Sequence, residues 1–163
     1  MSSLLENYTL IPLPPSVQSY RHLRAFTGLS PRTNQQTSLA LANSFFTCHI
    51  IYAPPNPPTP STNPPSSPTP PEIVGMTRVF GDAGWYFVLA DVCVLPAHQR
   101  RGLGELMVRR CLREIEQRAP PGAYVTVGAD PPGRRLYERV GFRETAPETV
   151  GMAMILGAEG GTE

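Results

Sequence analysis

The run WYFVLADVCVL, Trp85 to Leu95, is followed at once by a proline and then by QRRGLG at 99–104. An almost unbroken apolar run rich in β-branched and aromatic residues reads as a long central strand, and Pro96 ends it. From Gly102 to about Arg118, Leu103, Met107, Val108, Cys111, Leu112 and Ile115 fall on one side of a helix. Glu105, Arg109, Arg113, Glu114 and Glu116 occupy the other. Strand, glycine turn and helix in this order can bind an anion. The N–H groups of a helix's first turn lack partners within the helix and carry the positive end of its dipole. Gly102 and Gly104 remove the Cβ atoms that would hold a phosphate away from those amides. Arg100 and Arg101 add charge, Gln99 adds a neutral donor, and a diphosphate fits. A dinucleotide fingerprint is excluded because Met107 stands where its third glycine belongs, and a nucleotide P-loop because Gly-Lys-Ser/Thr is missing. The same two glycines would also serve a tight turn with close helix packing.

The flanking sequence supplies the rest of an alternating architecture. Tyr8 to Leu13 reads as a first strand, and Ser16 can cap a helix running through Tyr20, Leu23 and Phe26 to a stop at Gly28. A second helix covers Asn34 to Ala42. Phe45–Tyr52 and Glu72–Phe80 read as the two strands of a hairpin, and Gly81, Asp82 and Gly84 turn the chain into the central strand. After the long helix, Ala123–Val127 is a short strand. Asp130 can cap a last helix with Pro131 at its first position, carrying Leu136, Tyr137 and Val140 to Gly141. Val150–Leu156 alternates as a final strand. The order β-α-α-β-β-β-α-β-α-β predicts an α/β or mixed α+β fold, a mixed sheet with about four helices against it.

Composition bounds the class. The chain's 163 residues suit a single domain, 1–163, with 40% hydrophobic and 17% charged residues, as in a folded globular protein. A net charge of +1 gives no global field for nucleic acid or an anionic membrane, so neither is an expected partner. Cys48, Cys93 and Cys111 lie far apart, with no metal-ligand spacing, and are expected to be reduced and buried; no metal is expected. The N-terminal MSSLLENYTLIPLPP has no basic region leading into a long apolar run, and no stretch reaches the roughly 20 apolar residues of a membrane span. A cytoplasmic protein is expected, and a nuclear location and a homodimer are compatible with the sequence. Residues 53–71 are dominated by proline and read as a loop insertion, or as a PxxP docking segment.

Residues 72–156 resemble the GCN5-related N-acetyltransferase (GNAT) superfamily. Gln99-Arg100-Arg101-Gly102-Leu103-Gly104 matches in full the [RQ]-x-x-G-x-[GA] turn on which that family seats the coenzyme A diphosphate. Gly133–Phe142, GRRLYERVGF, resembles its second signature, A-x-x-L-Y-x-x-x-G-F. Asp130 stands where the family often has asparagine, and Gly133 where it often has alanine. The resemblance implies a central sheet whose fourth and fifth strands splay apart. It also implies acetyl-coenzyme A as cosubstrate and backbone groups of Val92, Cys93 and Val94 along the coenzyme's arm, one amide meeting the acetyl carbonyl. Asp130 and Gly133 would lie near the coenzyme, and Tyr137 beside its sulfur, as the acid that protonates the departing thiolate. An acceptor pocket built from the first two helices and neighbouring strands would be lined by Tyr20, Phe26, Arg32 and Arg78.

Three side chains keep two readings. Asp91, a carboxylate in an apolar strand, can take the amine's proton or pair with an arginine such as Arg78. Cys93 suits packing better than nucleophilic attack, with no histidine near it in sequence. Tyr137 can be an acid or a core ring, and its LYxxxGF context favours the acid. Asp82 is a second candidate base, whereas His98 lies too near the diphosphate turn. The expected activity is acetyl transfer from acetyl-coenzyme A to a primary amine of a small molecule, by direct attack in a ternary complex. A protein lysine or N-terminal acetyltransferase, and a non-catalytic acyl-coenzyme A sensor, are the alternatives.

Overall fold

A computed structural model of the chain describes residues 5–55 and 70–156. Two compact units divide it, one ending at Val127 and the other starting at Gly128. The first unit holds β1 (Tyr8–Ile11), α1 (Val17–Phe26), α2 (Asn34–Ala42), β2 (Phe46–Tyr52), β3 (Glu72–Gly81), β4 (Tyr86–Val94), α3 (Leu103–Arg118) and β5 (Tyr124–Val127). The second holds a 3-10 turn, Pro131–Gly133, and α4 (Arg134–Arg139). The mixed α/β class is therefore as expected.

Local chemistry explains the boundaries. Pro12 lacks the N–H that the ladder needs, so β1 stops at Ile11 and not at Leu13. Ser16 accepts from the Ser19 amide at 3.1 Å and starts α1. A capping box between Thr33 and Gln36 starts α2. The apolar stripe Leu103, Met107, Val108, Cys111 and Ile115 is buried, and through it α3 packs on β2, β3 and β4. On the solvent side Glu105 pairs with Arg109 at 2.9 Å.

The sheet runs β1-β2-β3-β4-β5, antiparallel up to β4. β5 then lies parallel to β4, and α3 provides the crossover that a parallel pair requires. β2 and β3 are paired from Phe46↔Val79 to Tyr52↔Glu72, so the proline-rich stretch joins adjacent strands. Residues 56–69 of that stretch lie outside the described residues.

β4 carries an extra residue. Met76 faces Cys93 and Arg78 faces Ala90, which sets both Asp91 and Val92 against Thr77, a β-bulge with Asp91 at φ 56°. Cross-strand partners share a face. Phe87 and Leu89 therefore lie with Gly81 and Val79, while Cys93 lies with Met76 on the opposite face. All four of Phe87, Leu89, Cys93 and Leu95 are buried, two on each side of the bulge.

Two expectations fail in the second unit. Val150–Leu156 forms no strand, with Val150, Met152 and Met154 at 70%, 96% and 82% exposure. Alternation makes a strand only where a neighbouring ladder receives it. Asp130 makes no side-chain cap: the consecutive Pro131 and Pro132 draw the chain into a 3-10 turn, closed by Gly133 N–H to Asp130 C=O at 2.8 Å, before α4 begins.

Candidate active site

β4 leads through a 3-10 turn, Pro96–His98, into the glycine turn. Gln99 Nε2 donates to the Val94 carbonyl at 2.8 Å, which ties the turn to the strand end and commits one donor expected at the anion. Arg100 has φ 62° and Gly102 φ 82°, so the chain enters α3 through two left-handed residues. Gly102 caps α3 with no side-chain bond, and the helical ladder starts at Leu106 N–H to Gly102 C=O. The amides of Leu103 and Gly104 thus lack intrahelical partners. A Cβ on Gly102 would meet nothing within 4 Å, and Arg100 and Arg101 are exposed beside it. Bare amides, two guanidinium groups and open approach fit the diphosphate of a coenzyme.

The same strand end has a free edge. Pairing of β4 with β5 runs from Tyr86↔Tyr124 to Leu89↔Val127 and stops, so Ala90–Val94 has no partner strand on that side among the described residues. Leu95 N–H bonds Val74 C=O at 2.8 Å, which makes Leu95 face β3. Antiparallel bonding alternates, so Val94 presents its N–H and C=O to the free edge and Cys93 turns its own towards Met76. The Gln99 bond to Val94 agrees. Burial pushes the Cys93 thiol up to about 11, which suits a packing role.

Behind the bulge lies a buried polar cluster. Asp91 Oδ2 accepts from the Tyr20 hydroxyl and from Arg78 Nε, each at 2.5 Å, and Oδ1 accepts from Arg24 Nη1 at 2.5 Å. Burial alone would raise the Asp91 carboxyl, but the bonds from Tyr20 and Arg78 and the Arg24 charge outweigh it and hold the group below the usual carboxylate range. Burial, then the bond to Asp91, pushes the Tyr20 phenol up. Burial lowers Arg78, yet its bond to Asp91 overcomes that and raises it. Of the two readings of Asp91, this geometry presents the arginine pair.

The expected acceptor liners divide. Tyr20 and Arg78 meet at Asp91. Phe26 is exposed against His22, ring centroids 4.4 Å apart, and Arg32 is exposed with Nη1 donating to the Pro31 carbonyl. Arg24 joins the cluster unforeseen, although its position four residues after Tyr20 puts both on one face of α1. Asp82 is engaged by its turn, where Oδ1 accepts from the Gly84, Trp85 and Tyr86 amides. Those bonds, from Tyr86 first, hold its carboxyl low. His98 pairs with the Tyr8 hydroxyl at 2.8 Å. No group of three or more metal-ligating side chains occurs among the described residues, and none of their helices is long and apolar enough to cross a membrane.

In the second unit, Gly141 at φ 105° reverses the chain so that Phe142 N–H reaches the Tyr137 carbonyl at 3.0 Å and its ring packs edge-on to Tyr137 at 5.9 Å. A Cβ on Gly133 would stand 3.2 Å from the Tyr137 ring, so glycine leaves that ring its room.

Residues 70–154 match the family model of the acetyltransferase (GNAT) domain. No curated protein matches the chain. Among solved structures, a protein from meticillin-resistant Staphylococcus aureus described as a probable acetyltransferase is similar at 27% identity and TM-score 0.74, over 91% of this chain and 98% of that one. The ribosomal-protein-S18-alanine N-acetyltransferase of Escherichia coli shares the fold at 16% identity and TM-score 0.61, over 85% and 79% of the two chains. Glucosamine-6-phosphate N-acetyltransferase of Arabidopsis thaliana does so at 14% and 0.58, over 91% and 98%.

Proposed function

We propose that this chain, which belongs to the GNAT acetyltransferase family, transfers the acetyl group of acetyl-coenzyme A directly to the primary amine of a small molecule in a ternary complex. The observation that carries the reading is the joining of two features at one strand end. The unpaired edge of β4 runs straight into a glycine turn with free amides. Bound acetyl-coenzyme A supplies the activated thioester. The amides of Leu103 and Gly104, with Arg100 and Arg101, hold its diphosphate. The Val94 amide, free at the edge, donates to the arm or to the acetyl oxygen; an amide aimed at that oxygen as it becomes charged is worth about 3 kcal/mol of barrier. Tyr137 protonates the departing thiolate, a role assigned on its LYxxxGF context. Asp91, ionised and accepting three donors, holds Arg24 and Arg78 in place on the acceptor side and leaves the amine's proton to solvent.

The test is thiol release from acetyl-coenzyme A across a panel of amines and peptides, with wild type and Tyr137→Phe side by side. Turnover on a small amine is expected, with kcat falling by about a hundredfold or more in the variant and coenzyme affinity retained. Turnover on peptides alone would move the acceptor to proteins. Coenzyme binding with no turnover would make the chain a sensor, and no binding would end the reading.

A further inference from the structure

Charge is distributed unevenly along this chain. Between Glu6 and Glu72 there is no aspartate or glutamate, while Arg21, Arg24 and Arg32 lie in that stretch. Helix α1 therefore brings cations and no carboxylate to the sheet, and α2 carries no charged residue.

At the buried cluster the imbalance persists. Arg24 and Arg78 share Asp91 as their one carboxylate among the described residues. Their side chains are 6% and 17% exposed. Two guanidinium groups against one carboxylate leave one positive charge in excess, since Tyr20 stays neutral with its phenol pushed up. A desolvated charge without a counterion is costly, and an arriving anion removes that cost. The two arginines differ in what they have left to give. Arg24 is committed: Nε donates to Ser30 C=O at 2.7 Å, Nη2 to Ser30 Oγ at 3.4 Å and Nη1 to Asp91. Arg78 reaches Asp91 through Nε, and its guanidinium lies 4.8 Å from the Phe80 ring centre. The Tyr20 hydroxyl also lies against this guanidinium, whose terminal nitrogens meet no further carboxylate or carbonyl among the described residues. A guanidinium held flat by an aromatic ring and anchored at Nε presents its fork to an oxyanion.

Resting on the acetyltransferase reading, we infer that the acceptor is a small amine that also carries an oxyanion, a carboxylate or a phosphate, and that Arg78 receives this group. Asp91 lies within the unpaired Ala90–Val94 stretch of β4, so an acceptor tethered there has its amine beside the strand that takes the acetyl arm. Exposed Arg21 and Arg32 add to the field that draws such a molecule in.

The experiment compares matched acceptors in the thiol-release assay: glycine with glycinamide, and O-phosphoethanolamine with ethanolamine. The anionic member of at least one pair is expected to have the higher kcat/KM by about tenfold or more, and the pair that responds tells carboxylate from phosphate. Arg78→Met should bring that ratio towards one, and Arg78→Lys should keep part of it; circular dichroism checks that both variants fold. Turnover without preference in either pair, or an unchanged ratio in Arg78→Met, overturns the inference. A second readout needs no turnover. The Arg78 Nε–H resonance, assigned by its loss in Arg78→Lys, should shift saturably with acetate or inorganic phosphate and not with acetamide. No saturable shift with either anion also overturns it. Anion binding at Arg78 with no acetyl transfer to any amine would strike the acetyltransferase reading and leave the anion site standing.

Discussion

The Tyr20 hydroxyl donates to Asp91 Oδ2 at 2.5 Å across 71 positions of sequence, and so fastens the first helix to the bulged strand. With Arg24 and Arg78 on the same carboxylate, this contact joins α1, β3 and β4 at one buried point.

Removing the carboxylate should therefore cost stability in a pH-dependent way. The folded Asp91 pKa lies below its unfolded value, so its contribution is complete above the unfolded value, near 3.9, and is lost as pH falls through the folded one. Asp91→Asn should lower unfolding free energy by about 3 kcal/mol at neutral pH. The gap between variant and wild type should close in acid. Urea titrations at neutral pH and at successively lower pH would measure it, and a constant gap would contradict the assignment.

The glycine turn separates strain from ligand access. Gly102 sits at φ 82° with nothing near its missing Cβ, so Gly102→Ala should cost about 1 kcal/mol from backbone strain alone. Gly104→Val places a branched side chain among the amides of the first turn. It should weaken acetyl-coenzyme A binding by more than about tenfold, read by calorimetry, with little change in melting temperature.

Gly75 is squeezed between neighbours. A Cβ there would stand 3.0 Å from the Cys93 carbonyl oxygen and 3.2 Å from Met107 Cε. Gly75→Ala should destabilise by about 1–3 kcal/mol through overpacking. Replacing Met107 by valine in the same chain should recover only part, because the Cys93 backbone cannot retreat as a side chain can.

The proposed direct transfer leaves no acyl-enzyme. The Cys93 thiol, buried and raised to about 11, should resist iodoacetamide at pH 8 until the protein unfolds. Mass spectrometry after incubation with acetyl-coenzyme A should show no acetylated cysteine. A single acetyl on Cys93 would require a two-step mechanism.

The strand-turn-helix junction was legible because every part has a local cause. Pro96 stops β4, Gly102 supplies the left-handed residue, and the apolar stripe of α3 has helical period. Arg24 was not, since a buried arginine declares itself only through the carboxylate that it meets, far away in sequence. The bulge was also hidden. Phe87, Leu89, Asp91, Cys93 and Leu95 occupy alternate positions, so the text reads as one apolar face with a misplaced aspartate. In the fold the extra residue moves Cys93 to the opposite face from Leu89, and Asp91 marks the changeover. Val150–Leu156 misleads for the converse reason, because its pattern is that of a strand and no ladder receives it.

The bulge has a consequence for which kinds of mutation β4 can survive. A substitution at Asp91 or Val92 alters one side chain, and an in-frame loss of one codon there would restore one-to-one pairing with Cys93 still opposite Met76. Cys93, Val94 and Leu95 would keep their faces, and what is lost is the kink that sets Asp91 among Tyr20, Arg24 and Arg78. A one-residue loss at the bulge should accordingly spare the ladder and be felt at the Asp91 cluster, whereas the same loss elsewhere in β4 would put side chains on the wrong face.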